Sequence, residues 1–289
     1  MGLGSVKFNG KKFNVREELG HLRLYINHMD LVDVTEIKGL EKVKNITALD
    51  LSNNKITELT GLDELTNLQQ LFLNNNQLKV IEGLESLTKL DRIFLNGNQI
   101  LELKGLDSLT NLQWLELNNN NITELKELES LTELIQLDLK FNQIKEITNL
   151  ELLTNLQILY LNRNQISEIK NLEALTNLHT LFLDHNQIAE IKGLDKLVKL
   201  INLNLNDNKL TEIKGLETLV NLETLYLDTN QISSLNNLES LENFEKLKLF
   251  FLGFNPIKGE EEQFKKDIMG VDNIKKLVES YKKWKQTKG

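Results

Sequence analysis

Residues 112–133 read LQWLELNNNNITELKELESLTE. Leucines stand at positions 112, 115 and 117, an asparagine at 120 and an isoleucine at 122, and Leu134 begins the same pattern again. The asparagine recurs every 22 residues, at Asn54, Asn76, Asn98, Asn120, Asn142, Asn164, Asn186, Asn208 and Asn230. A constant period means that each turn of chain packs against a near copy of itself, so the spacing predicts a repeat architecture before any local propensity is considered.

The repeat pattern indicates one short strand per turn. In Leu115-Glu116-Leu117 the apolar residues alternate with a polar one, so both leucines face the core and Glu116 faces away from it. One strand per repeat followed by a crossover gives a parallel sheet. The asparagine side chain can donate and accept, so it can satisfy turn backbone. The predicted fold is therefore an α/β repeat solenoid: a leucine-rich-repeat horseshoe with a parallel concave sheet, short helical or 3-10 segments on the convex side, and a cap at each end.

The repeats are predicted to occupy residues 46–257, about ten turns, with an N-terminal cap over residues 1–45. Alternating residues on both sides of Asn9-Gly10 predict a β-hairpin in that cap. His21–Ile26 is typical of an irregular first strand. Glycines at one equivalent place in five repeats predict a tight bend, at Gly61, Gly83, Gly105, Gly193 and Gly215.

Residues 258–289 are predicted to form a helical C-terminal cap. A short helix is expected over 260–269, ended by Gly270. Asp272 is expected to cap a second helix. The apolar positions of that second helix share one face: Ile274, Leu277, Val278, Tyr281 and Trp284.

Composition narrows the class of function. The net charge of −8 argues against a nucleic-acid partner. The chain has no cysteine, which favours a reducing compartment, and no secretion signal or membrane-spanning apolar run is recognisable, so a cytoplasmic location without a membrane partner is expected. The sequence contains no recognisable motif for a catalytic nucleophile, a phosphate-binding loop or a metal site, and its four histidines do not form a cluster. We expect no catalytic residue, no cofactor and no bound metal.

Aromatic side chains occupy two positions of the repeat: the position between the two strand leucines, and the position two residues before it. Because both positions point out of the concave sheet while the core is aliphatic, aromatics there indicate binding anchors. Acidic residues are interleaved with them, which favours a protein partner with basic and apolar features. Predicted partner-binding residues are Asp50, Phe72, Phe94, Trp114, Glu116, Asp138, Tyr160, Phe182, Tyr226 and Phe251. Alternatively, these rings only cover neighbouring strands.

Several phrases resemble the leucine-rich-repeat regulatory subunit of type-1 serine/threonine protein phosphatase. They are LTNLQQLFL (65–73), IEGLESLTKL (81–90) and LTNLQWLEL (109–117), with a three-residue lengthening before FLGFNPI (251–257). The resemblance covers residues 46–257 and implies that the concave face binds a phosphatase catalytic subunit through Phe94, Glu116, Tyr226 and Phe251. Asn204 and Asp138 stand where that family has an acid and a phenylalanine.

Two further resemblances are partial. The LTNLxxLxLxxNQI pattern is similar to that of bacterial internalins, which carry proline where this chain has glycine. The ending from Asn255 to Trp284 looks like the last repeat of the leucine-rich domains that precede a GTPase in Roco proteins, which implies a small GTPase as another possible partner. The function expected from the sequence is a non-catalytic, monomeric binding scaffold. A self-assembling structural protein and a stand-alone relative of Roco or internalin domains are the alternatives.

Overall fold

The computed structural model describes residues 3–264, 268–269 and 271–287, without the side chains of residues 260, 268, 269 and 271–273. The chain divides into two compact units, Met1–Gln143 and Ile144–Gly289, called unit 1 and unit 2 below. Each unit carries part of the repeat array, and each is described in turn.

Unit 1 begins with the predicted hairpin. Strands β1 (Ser5–Phe8) and β2 (Lys11–Asn14) pair antiparallel across Asn9 and Gly10, whose φ angles of 47° and 72° are both left-handed. This is the conformation that a two-residue hairpin turn requires, and it explains the Asn-Gly pair. The sheet that follows consists of β3 (Arg16–Glu18), β4 (His21–Tyr25), β5 (Ala48–Asp50), β6 (Gln70–Phe72), β7 (Arg92–Phe94), β8 (Trp114–Glu116) and β9 (Gln136–Asp138).

Strands β4 to β9 run parallel and in register, so that equivalent positions of successive repeats lie side by side. Strand β3 pairs antiparallel with β4 at the N-terminal edge. The middle residue of each array strand, such as Leu115 in β8, is fully buried, and most leucines and isoleucines of the connecting segments are buried as well, with Leu101 as an exposed exception. Because every turn buries the same aliphatic set against the next one, the core is continuous along the unit.

Unit 2 repeats the arrangement. Its strands are β10 (Ile158–Tyr160), β11 (Thr180–Phe182), β12 (Asn202–Asn204), β13 (Thr224–Tyr226), β14 (Leu249–Phe251) and β15 (Ile268–Met269). Strands β10 to β14 pair parallel and in register, and β15 pairs antiparallel with β14. The chain thus has the stacked parallel sheet of about ten turns expected of a leucine-rich-repeat solenoid.

The connections between array strands are mostly turns. The 3-10 helices of the described chain lie at Val34–Glu36, Leu40–Lys42, Leu238–Asn243 and Gly259–Phe264. The five glycines at the predicted bend all have left-handed φ angles, between 71° and 95°. Glu127, Asn149 and Asn171 adopt the same conformation at the equivalent place, so the bend is set by the turn and the glycines relieve its strain.

The C-terminal end differs from the expectation at one place. Instead of a helix over 260–269, a 3-10 helix ends at Phe264 and the two-residue strand β15 follows. Pairing with the edge of β14 satisfies backbone groups that a helix would have left exposed there. Helix α1 (Val271–Gln286) forms as predicted and buries Ile274, Leu277, Val278 and Tyr281. The predicted caps at Gly270 and Asp272 lie outside the described residues and side chains, and the cap boundaries at 45 and 258 stay predictions.

Candidate functional site

The outward positions of the strands form two surfaces. We call the outward side of β5–β9 in unit 1 face 1, and the outward side of β10–β14 in unit 2 face 2. Face 1 carries six predicted residues, Asp50, Phe72, Phe94, Trp114, Glu116 and Asp138. Face 2 carries four, Tyr160, Phe182, Tyr226 and Phe251. All ten lie where the alternation of the strands predicts, but their binding role stays a prediction.

The aromatic rings of face 1 contact one another because the strands are in register. Phe72 and Phe94 are register partners, and their rings stack with centroids 4.6 Å apart and planes 1° from parallel. The guanidinium carbon of Arg92 lies 4.4 Å from the ring centroid of Trp114, a cation–π contact. Trp114 Nε1 donates to Gln136 Oε1 at 3.0 Å. The rings are half-buried, so each keeps an exposed edge or face for another molecule.

The acids of face 1 are held by hydrogen bonds. Asp50 accepts from Asn27 Nδ2 at 2.8 Å, and Glu116 accepts from Asn96 Nδ2 at 2.7 Å. Both carboxylates remain half-buried and reachable from outside.

Asp138 differs from the exposed residue that the strand alternation predicts. It lies in the outward column but is only 3% exposed, since Lys140 covers it. Asp138 Oδ2 lies 3.0 Å from Lys140 Nζ, and Oδ1 accepts from the Lys140 backbone N–H at 3.1 Å. A partner could reach this carboxylate only after Lys140 moved.

Face 2 presents two aromatic pairs on either side of a polar strand. Tyr160 and Phe182 meet edge to face with centroids 5.4 Å apart. Tyr226 and Phe251 stack with centroids 4.9 Å apart and planes 9° from parallel. Asn204 of β12 stands between the two pairs in strand order, and its Oδ1 accepts from the Asn206 backbone N–H at 3.1 Å. Face 2 is therefore apolar at both ends and polar in the middle.

A charged cluster lies at the ends of β10–β12. Arg163 Nη2 donates to His185 Nε2 at 3.1 Å, which leaves the proton on Nδ1, and Nδ1 lies 2.5 Å from Asp207 Oδ2. Burial raises the pKa of the neighbouring Asp184, while the positive charge of Arg163 acts in the opposite direction. Asp184 Oδ1 is buried without a hydrogen-bond partner among the described residues.

The alternation of side chains along a strand did not predict the exposed aromatics that follow two of the strands. Phe141 and Phe254 are 47% and 84% exposed, and Phe254 is the most exposed aromatic of the described chain. Both lie in the turn after the strand, where period-two reasoning no longer applies. Their fixed place directly before a repeat asparagine was the available signal.

Within the part of the chain that the structure describes, no group of histidine and carboxylate side chains could hold a metal ion. None of the described helices is long and apolar enough to cross a membrane.

The geometry of parallel strands around an aliphatic core, with polar and aromatic residues outside, defines a repeat scaffold. The family of leucine-rich repeats, described in units of two copies, matches residues 66–108, 110–152, 154–196 and 198–240. These segments make up more than half of the chain, which therefore belongs to the leucine-rich-repeat family, whose members are commonly protein-interaction modules. Curated proteins gave no match.

Three of the solved structures that share this fold are bacterial proteins. An internalin C2 from Listeria monocytogenes is 32% identical, with 74% of this chain and 84% of that chain covered and a TM-score of 0.57. A leucine-rich-repeat protein from Leptospira interrogans is 25% identical, with coverages of 82% and 67% and a TM-score of 0.70. Another Listeria monocytogenes internalin is 25% identical, with 82% of each chain covered and a TM-score of 0.57.

Proposed function

We propose that this protein is a non-catalytic scaffold that binds a partner protein on face 1, on face 2 or on both. The observation that carries the proposal is the sorting of side chains between the two sides of the strands. From β5 to β13 the inward side is leucine and isoleucine, whereas the outward positions hold six of the seven aromatics between Ile46 and Asn243. Aromatic and arginine side chains at an accessible surface are the residues that most often dominate protein–protein binding energy.

The chemistry of the faces favours a partner with basic and apolar groups. Face 1 offers the Phe72–Phe94 stack beside the carboxylates of Asp50 and Glu116. A basic partner would gain charge-assisted hydrogen bonds to these acids and would be attracted over distance by the net charge of −8.

The resemblance of the repeat phrases adds a particular candidate. We propose the catalytic subunit of a type-1 protein phosphatase as the partner, with Phe94 and Glu116 on face 1 and Tyr226 and Phe251 on face 2 as contacts. The lack of cysteine in the chain is compatible with the reducing cytoplasm in which such a complex would form.

The general proposal is tested by affinity capture from cell extract with wild type and four single variants. Phe94→Ala probes face 1, and Phe182→Ala probes face 2. Their matched controls are Leu101→Ala in unit 1 and Leu152→Ala in unit 2, which truncate apolar side chains that are 51% and 55% exposed outside the strands. We expect a specific partner to be lost by at least one face variant and retained by both controls. If capture is identical in all five proteins, the aromatic rings serve only to pack the sheet.

The phosphatase candidate is tested separately with the purified catalytic subunit in a calorimetric titration. We expect wild type to bind and Phe94→Ala to weaken binding by about tenfold or more, the usual effect of truncating an anchor. A wild-type chain that does not bind the purified subunit would remove the phosphatase from consideration. It would leave the general proposal to the capture experiment.

A further inference from the structure

Apart from the residues at the bend, one position in every turn has a left-handed backbone. It is the residue directly before the repeat asparagine, and we call this set the rim residues. In unit 1 they are Asn53, Asn75, Gly97, Asn119 and Phe141, and in unit 2 they are Arg163, His185, Asp207, Thr229 and Phe254. All ten φ angles lie between 50° and 69°. The turn that positions the repeat asparagine therefore imposes one conformation on every rim residue, whatever its side chain.

The rim residues differ in how well they tolerate that conformation. Asparagine, aspartate and glycine adopt it readily, whereas bulky or β-branched side chains are strained in it. Three turns of this chain use asparagine, which shows that asparagine fits the turn. The poorly suited cases include Phe141 in unit 1, and Thr229 and Phe254 in adjacent turns of unit 2. Where such a residue also exposes a large apolar side chain, neither the backbone nor the core favours it, which indicates that the side chain is used for binding.

Phe254 is the rim residue whose side chain stands out most. It is 84% exposed, so it contributes little to the core. It follows Phe251 by three residues, and the ring of Phe251 stacks on Tyr226. Asp228 Oδ1 accepts from the Gly253 backbone N–H at 2.5 Å, which brings this carboxylate next to Phe254. The Asp207 backbone N–H donates to the Asp228 carbonyl oxygen at 2.9 Å. A second acidic residue, Asp207, therefore lies in the turn next to that of Asp228.

We propose that Phe254 and the Tyr226–Phe251 stack form one apolar anchor site on face 2, bordered by Asp228 and Asp207. The occupant is a segment of a partner protein that carries an apolar side chain next to a lysine or arginine. The apolar side chain contacts Phe254, and the basic one contacts the two carboxylates. This inference rests on the proposed function, because it assigns part of face 2 to the partner.

The strain is tested with two substitutions at equivalent rim positions. Phe254→Asn and Thr229→Asn both introduce the residue that the chain uses at three other rim positions. We expect the melting temperature to rise in both variants, because asparagine relieves the left-handed strain. A lower melting temperature for Phe254→Asn would mean that the ring stabilises the fold, which contradicts the proposal.

Binding is tested with a displayed library of random peptides, selected on wild type and counter-selected on Phe254→Asn. We expect enrichment of peptides with an apolar residue beside lysine or arginine. Synthetic copies should bind Phe254→Asn about tenfold or more weakly than wild type, and bind Thr229→Asn as wild type does. Asp228→Asn keeps the oxygen that accepts from Gly253 but removes the charge, so it should weaken binding and reduce its salt dependence. Enrichment of acidic peptides, or of none, would overturn the proposal.

The same variants separate this inference from the proposed function. A captured partner that Phe182→Ala loses and Phe254→Asn retains would preserve partner binding on face 2 and refute the anchor site. A partner lost by Phe254→Asn and retained by Thr229→Asn supports both.

Discussion

Asn120 Oδ1 accepts a hydrogen bond from the backbone N–H of Ile100, one turn earlier, at a distance of 3.0 Å. The same side chain donates through Nδ2 to the carbonyl oxygens of Leu95 and Leu117, each at 3.0 Å. One amide thus satisfies three buried backbone groups belonging to two consecutive turns. This explains why asparagine recurs at a fixed period, since aspartate cannot donate and leucine can do neither.

The first prediction concerns this asparagine. Asn120→Ala would leave the Ile100 N–H buried without a partner, whereas the Leu95 and Leu117 carbonyls would keep the hydrogen bonds that they accept from Asn98 and Asn142, so we expect a loss of roughly 1–3 kcal/mol in the free energy of unfolding. Chemical denaturation followed by circular dichroism measures it. The control is Asn111→Ala in the same region, which removes one exposed bond to the Thr88 carbonyl and should change stability by less than about 0.5 kcal/mol. Similar losses in both variants would contradict the role assigned to Asn120.

The second prediction concerns the bend at Gly215. Its φ of +79° is left-handed, and a Cβ atom there would lie 2.1 Å from the Ile191 carbonyl oxygen. Gly215→Ala therefore adds a backbone clash to conformational strain, and we expect destabilisation of about 2 kcal/mol or more. Gly10→Ala is the control, because Gly10 has φ +72° but open space around it, so only the strain of about 1 kcal/mol applies. Thermal melts of the two variants give the comparison.

The third prediction separates the core from the face. Leu115 is fully buried and is flanked in register by Ile93 and Leu137. Leu115→Ala opens a cavity between stacked turns, so we expect a loss of about 2–5 kcal/mol. Phe94→Ala, from the neighbouring outward position, should cost less because its ring is half-buried and loses mainly the stack with Phe72, about 0.5–1.5 kcal/mol. Equal losses would show that the face aromatics belong to the core.

The fourth prediction concerns pH. Burial raises the pKa of Asp184, so the folded state binds its proton more tightly than the unfolded state does. Its contribution to stability is therefore largest below the unfolded pKa of about 4 and is lost as pH rises through the higher folded pKa. Asp184→Asn should raise the melting temperature at neutral pH and lose this advantage at about pH 3.

Asparagine is the replacement chosen for Asp184 because other repeats of this chain already carry asparagine at the equivalent position. Asn74 and Asn96 occupy the equivalent position and accept the N–H of the next turn at 3.0 and 2.9 Å. Asp195→Asn, at an exposed carboxylate of the same unit, is the control and should leave the melting temperature nearly unchanged at both pH values. A gain for Asp184→Asn that is equal at both pH values would rule out the buried carboxylate as its cause.

Most of the fold could be predicted because the residue spacing that specifies a leucine-rich repeat lies within a single repeat. The period of Leu115, Leu117 and Asn120 specified one strand per turn, and register followed from equal turn lengths, so the columns of face 1 and face 2 could be assigned correctly. The antiparallel strand at Ile268–Met269 could not be predicted, since it depends on the free edge of β14 and not on its own propensity. Burial of Asp138 was also missed, because it results from the conformation of the Lys140 side chain.

The sequence by itself determined the architecture, the aliphatic core and the outward placement of the aromatics, because each depends on spacing within one repeat. Only the tertiary structure decided which of those aromatics contact one another, which acids are covered, and that every rim residue has the same left-handed backbone. The physical reason is that these properties arise between adjacent turns. The stack of Tyr226 on Phe251 and the exposure of Phe254 depend on how one turn is laid against the next.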